Sequence, residues 1–198
     1  TQEEHGGWTF SAAWPSGLWI LSSSVVIPYT HNYFNGGKDG NSAACAMRLL
    51  NGYVTLGETR YLEAAGRTAA ALIRLQSTEG SWPYAATYDP GTRTFISKQN
   101  PTLAGLQDHV QAHPTLLLQL LHRFTGKEEY KQAADKGLAF MLRTQNPNGS
   151  WSHHWDLEEN IGEAAQSNYK NAGELNDDAT QDQMTMMLAA YRVTGDVR

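Results

Sequence analysis

Three copies of one short pattern constrain this chain more than anything else in it. Gln2, Gly6 and Trp8 spell Q-x-x-x-G-x-W, as do Gln76, Gly80 and Trp82, and again Gln145, Gly149 and Trp151. Trp82 and Trp151 stand 69 positions apart, and so do Gln76 and Gln145, Tyr61 and Tyr130, and Gly57 and Gly126. The same step relates Gly126 to Gly195, Asp39 to Asp108, and Asp108 to Asp177. Self-similarity at a fixed period is the signature of stacked supersecondary units. The unit is an Asp, a helix, a tight turn at glycine, a second helix and the Q-x-x-x-G-x-W stop.

Each stop is chemically explicit. Apolar residues at Leu138, Phe140, Met141 and Leu142 line the inner side of a helix that ends at Asn146-Pro147-Asn148-Gly149. Proline lacks the amide N–H a helix needs, and glycine accepts the left-handed turn beyond it. The pattern predicts five helices, near 41–56, 59–76, 108–125, 128–145 and 177–194, and almost no sheet. A short strand at Val25–Ile27 is the exception. Pro114 marks a kink or a late start in the third helix. Alanines at 64, 65, 69, 70 and 71 permit close approach of the second helix, and Met184, Met186, Met187 and Leu188 read as core. The fold class is all-α: antiparallel helix hairpins stacked as part of an α/α toroid. Residues 1–198 read as a single domain, incomplete at both ends, with open edges that invite self-association.

Bulk properties exclude several classes. A net charge of −5 with 15 Lys and Arg argues against a nucleic-acid footprint. No stretch reaches the eighteen or so apolar residues of a membrane span, and no signal peptide is visible. Cys45 is the sole cysteine, which excludes an intrachain disulfide and reads as a small buried hydrophobe.

All three long loops precede an Asp-opened helix, so they gather at one end of the array. That end carries the chemistry. His153, His154, His109, Arg93 and Lys98 are its available bases and cationic clamps. Trp14, Trp19, Tyr84 and Trp155 offer flat faces for sugar rings. Asp108, Asp177 and Asp178 supply carboxylates at helix starts. The plainer reading of the periodic residues is structural: Asp39, Asp108 and Asp177 as helix caps, and Trp8, Trp82 and Trp151 as packing between repeats. The non-periodic His109, His113, Asp178 and the His153–Asp156 cluster therefore carry the better functional signal.

The stop pattern resembles the QW repeat of terpenoid cyclases, and in context it resembles the family 10 pectate lyases. Leu175-Asn176-Asp177-Asp178-Ala179-Thr180 is similar to that family's I-D-N-x-A-T, and Tyr191-Arg192-Val193-Thr194-Gly195-Asp196 to its Y-x-x-T-G-[DN]. Asn148-Gly149-Ser150-Trp151 stands where the family writes N-G-G-W. Trp151-Ser152-His153-His154 departs from its W-P-K-N, and Asn176 replaces the Asp of I-D-N. The resemblance implies a polysaccharide lyase acting on an acidic, uronate-containing polysaccharide such as pectate. It also implies Ca²⁺ held at Asp177 or Asp178 and a secreted or periplasmic setting. Two alternatives stay open. One is a glycoside hydrolase using Asp108 and Asp178, whose carboxyl separation would be about 5 Å or about 6.5–9.5 Å. The other is a terpenoid-cyclase-like or non-catalytic binding repeat.

Overall fold

A computed structural model describes residues 33–34, 41–84, 86–89, 91–92, 94–97, 102–163 and 170–195. Among them lie five helices: α1 (Asn41–Leu56), α2 (Thr59–Leu75), α3 (Ala112–Thr125), α4 (Glu128–Arg143) and α5 (Ala179–Thr194). Helices α1 and α2 form one hairpin, and α3 and α4 the next. Helix α3 sits between α1 and α5, so α1, α3 and α5 form one row. The tight turns follow the sequence: Gly57, Gly126 and Gly195 adopt φ of 72°, 69° and 72°, the left-handed region where a glycine costs least.

The stop is the same structure twice. The Trp82 indole N–H donates to the Leu72 carbonyl at 3.0 Å, and that of Trp151 to the Met141 carbonyl at 2.8 Å. The Gln76 amide donates to the Gly80 carbonyl, and the Gln145 amide to that of Gly149. Both tryptophans are buried, so the packing reading of Trp82 and Trp151 holds. Trp8 lies outside the described residues. A Cβ on Gly137 would come within 2.7 Å of the Trp82 ring, so α4 has a glycine where the preceding repeat inserts its indole. Leu72, Leu117, Leu118, Leu121 and Tyr130 complete the main core around Trp82, with the α2 alanines 65, 69 and 71 fully buried. A second core joins Phe140, Trp151, Trp155 and Leu106.

Three expectations are corrected. The loops are not devoid of sheet. Strands β1 (Tyr33–Phe34), β2 (Ala86–Asp89) and β3 (Thr94–Ser97) form one antiparallel sheet, and β4 (Leu103–Gly105), β5 (His154–Asp156) and β6 (Ile161–Glu163) another. Each sheet joins one strand from a loop to the hairpin of the next loop. The signal was present in Thr87, Tyr88, Thr94, Phe95 and Ile96, residues that suit a pleated surface. Val25–Ile27 lies outside the described residues. Second, α3 and α5 start later than the Asp pattern implied. Asp108 and His109 adopt φ of 55° and 60°, and Asp177 and Asp178 φ of 50° and 58°. Two consecutive left-handed residues cannot continue into a right-handed helix, so the helices begin beyond them. Third, the methionines divide: Met186 is buried, while Met184 is exposed beside Leu188 and Tyr191. Cys45 is only half-buried, its thiol pKa raised by burial.

Candidate functional site: two paired left-handed turns

The two Asp turns lie against each other. The Asp108 amide donates to the Asp177 carbonyl at 2.8 Å, and the Leu106 amide to the His153 carbonyl at 2.7 Å. Each turn is anchored to its tryptophan by a buried polar residue at the same repeat position. Gln111 accepts from the Trp82 amide at 3.0 Å and donates to the carbonyls of Trp82 and Gly105. Thr180, one period later, accepts from the Trp151 amide and donates to the Trp151 carbonyl at 3.0 Å. Gln183 on α5 donates to the Leu106 carbonyl at 2.8 Å.

The side chains on these turns form a connected set. Asp108 is not a helix cap: it accepts from the Tyr84 hydroxyl and from the Gln107 amide at 3.0 Å. Asp178 occupies the cap position of α5 without a capping bond. Its Oδ2 lies 3.3 Å from His109 Nε2, while His109 Nδ1 lies 2.7 Å from Asp182 Oδ2. The His109 ring stacks on His113 at 4.3 Å. The Asp182 hydrogen bond raises the His109 pKa against partial burial, with the Asp178 and Asp108 charges adding to it. The capping reading fails for Asp108 and Asp177: both are left-handed, and their carboxylates turn to Tyr84 and Gln107 and toward His153 rather than to the first helical amides. Asp39 lies outside the described residues.

His153 is 1% exposed and forms part of the wall. Its amide donates to Glu174 Oε2 at 2.9 Å, and its Nε2 lies 3.3 Å from the Asn176 carbonyl and 3.5 Å from Asp177 Oδ2. Its Nδ1 is 3.0 Å from Glu174 Oε2 but off the line for a hydrogen bond. His154 is half-buried on β5, in register with Gly105 and Glu163. Burial first, and the charge of His153 second, lower its pKa.

Trp155 points the other way, because strand residues alternate faces. It is 4% exposed and packed with Phe140 and Trp151, so it offers no platform to a sugar. Tyr84 is half-buried with its ring against Gly105. Arg93, Lys98, Trp14 and Trp19 lie outside the described residues. The structure thus brings Tyr84, Asp108, His109, His153, Asp177 and Asp178 together. Sequence reasoning missed Asp182, Glu174, Gln111 and Thr180. Asp182 was legible, since it follows Asp178 by one helical turn and shares its face.

The Ca²⁺ expectation does not fit this donor set. Calcium takes six to eight oxygens at about 2.3–2.6 Å. Here Asp178 turns to His109 and Asp177 to His153. Among the described residues no group of three or more His, Cys, Asp or Glu is arranged to hold a metal ion. No described helix is long and apolar enough to cross a membrane.

A family model described as pectic acid lyase matches residues 97–198. No curated protein matches. Two solved structures are similar to the chain, both of a family 10 polysaccharide lyase from Cellvibrio cellulosa. One, at 18% identity and a TM-score of 0.57, covers 96% of this chain and 61% of that one. The other, a mutant in complex with trigalacturonic acid, has 18% identity and a TM-score of 0.53, and covers 79% of this chain and 48% of that one. The chain therefore spans about half to three fifths of these relatives' length. At this identity the likeness shows the fold, an all-α array forming part of an α/α toroid.

Proposed function

The chain belongs to the pectic acid lyase family, and we propose that it forms part of a polysaccharide lyase cleaving a uronate-containing polysaccharide by β-elimination. The observation that carries this reading is that the matched span, 97–198, contains both left-handed Asp turns and every side chain that joins them except Tyr84. Oligogalacturonate, the class bound by one structural relative, is the proposed substrate. An extracellular or periplasmic setting goes with that substrate.

β-Elimination removes the proton on C5, beside the carboxylate, and expels the oxygen on C4. The reaction needs an unprotonated base near C5, positive charge to hold the carboxylate and its developing enolate, and a donor for the leaving oxygen. His154 suits the first role, because burial lowers its pKa and so favours the neutral imidazole. The Tyr84 hydroxyl, held by Asp108, suits the third. Positive charge is scarce on these turns, where His109 faces Asp178 and Asp182 and His153 faces Asp177 and Glu174. We assign the carboxylate contact to Arg93, just before the matched span, and to Lys98, at its start. A calcium ion at Asp178 or Asp177 would compete with His109 or His153 for the carboxylate.

The test is incubation of the full-length parent protein with polygalacturonate, other uronate polymers and neutral glucans, following ultraviolet absorbance of the unsaturated product. Absorbance that grows only with uronate polymers is expected. New reducing ends without absorbance would replace the lyase by the glycoside hydrolase. No cleavage of any polymer would leave the binding repeat.

A further inference from the structure

His109 holds an unusual position in the repeat. It stands one period before Asp178 and shares its left-handed conformation, yet the two side chains meet across the repeat boundary. Both ring nitrogens face carboxylates, Nδ1 at 2.7 Å from Asp182 and Nε2 at 3.3 Å from Asp178. The stacked His113 closes one face of the ring. Asp182 is only 15% exposed, so its carboxylate has exchanged much of its water for this one partner. An imidazole can satisfy two carboxylates at once only as a donor at both nitrogens.

We propose that His109 stands in for a metal ion: its ring occupies the space between Asp178 and Asp182 that a divalent ion would need, so this chain holds its two Asp turns together without Ca²⁺. Three observations converge on this reading. The ring bridges carboxylates of α5 from a turn that belongs to the preceding repeat. Asp177 faces a different histidine, its Oδ2 3.5 Å from His153 Nε2. Asp108, the remaining carboxylate of the pair of turns, is committed to Tyr84 and Gln107. The inference deepens the lyase reading by making its site independent of metal, but its test uses no turnover, so either can fail without the other.

The test compares melting of the full chain and of His109→Gln, each with EDTA and with about 5 mM Ca²⁺, above the weakest common calcium affinities. The wild-type midpoint should move by less than about 1 °C, within the error expected of no binding. His109→Gln should melt about 2–4 °C lower in EDTA, the usual response of a chain this size to one lost interaction. Calcium should recover that loss, because it bridges Asp178 and Asp182 in the place the ring has left. A wild-type midpoint that rises with Ca²⁺ would overturn the proposal. So would a variant that melts like wild type, or one that calcium fails to recover. Should the variant not fold, calorimetric titration of the wild type with Ca²⁺ decides alone: saturable heat sinks the proposal, and none supports it.

Discussion

The Asp108 amide and the Asp177 carbonyl are hydrogen-bonded at 2.8 Å, although 69 residues of chain separate them. One period of the repeat thus ends where it began, in a turn of the same hand. Two consecutive residues at positive φ are costly for side chains other than glycine, on the order of 1–3 kcal/mol each. Such strain persists only where the surroundings over-determine it. Gln111 and Thr180 behind the turns, and His109 between the carboxylates in front, are those surroundings. Gly40 holds the equivalent position in the first repeat of the sequence, the residue this conformation favours.

Gly137→Ala should destabilise the chain by about 1–3 kcal/mol, the usual cost of overpacking. The added Cβ would meet Thr115 Oγ1 at 2.6 Å and the Trp82 ring at 2.7 Å, and neither partner can retreat from a full core. Urea denaturation followed by tryptophan fluorescence checks this. An unchanged midpoint would mean that Trp82 does not pack on α4 as described.

Gln111→Leu keeps the volume and removes the bonds. It leaves the Trp82 amide and the carbonyls of Trp82 and Gly105 without this buried partner. One unsatisfied buried group costs about 1–3 kcal/mol, so a loss of about 3 kcal/mol or more is expected. Thr180→Val, with a single hydroxyl at stake, should cost less. Equal losses from the two would contradict the unequal number of bonds that the two anchors make.

The sequence displayed the period, the hairpins and the stops because glycine, proline and tryptophan act locally and recur. It hid the turns, because Asp108 and Asp177 read like helix caps until their φ angles are known. It also hid the sheets, whose strands of two to four residues are too short to show alternation. The site was half legible. His109 and Asp178 stood out as departures from the repeat, whereas Trp155 looked like a sugar platform only because strand β5, which turns it inward, was not anticipated.

The exposed stripe Met184, Leu188 and Tyr191 on α5 should be sticky, being 57%, 50% and 48% exposed. At the matching places α1 and α3 bury Ala46, Thr115 and Leu50. Leu188→Glu should therefore shift the chain toward monomer in sedimentation velocity without lowering its stability. Association unaffected by the substitution would assign it to another face.

Stability should carry a pH signature from His109. Its folded pKa is raised above the ordinary 6.5, mainly by the Asp182 hydrogen bond, with Asp178 and Asp108 adding and His113 stacked alongside. A raised pKa stabilises fully below the ordinary value and is lost as pH rises through the folded value. The stability gap between wild type and His109→Gln should be widest below pH 6.5 and narrow above it. A gap that widens with pH would reverse the sign and exclude the charged bridge.

His154 should shift the other way, and its effect should appear in turnover. Burial lowers its pKa below 6.5, and the charge of His153 lowers it further; Glu163, Glu174 and Asp108 oppose this without overcoming it. If its neutral ring removes the C5 proton, kcat/KM should rise with pH along a limb whose midpoint lies below 6.5. His154→Ala should lower kcat by about 10²–10⁴-fold, the range of a general base, and should erase that limb. Glu163→Gln removes a negative neighbour across the β5–β6 pair, so it should move the limb to lower pH while leaving the plateau rate nearly intact. A purely structural His154 would lower the plateau without moving any midpoint. A limb that stays in place in Glu163→Gln would assign the base to another group.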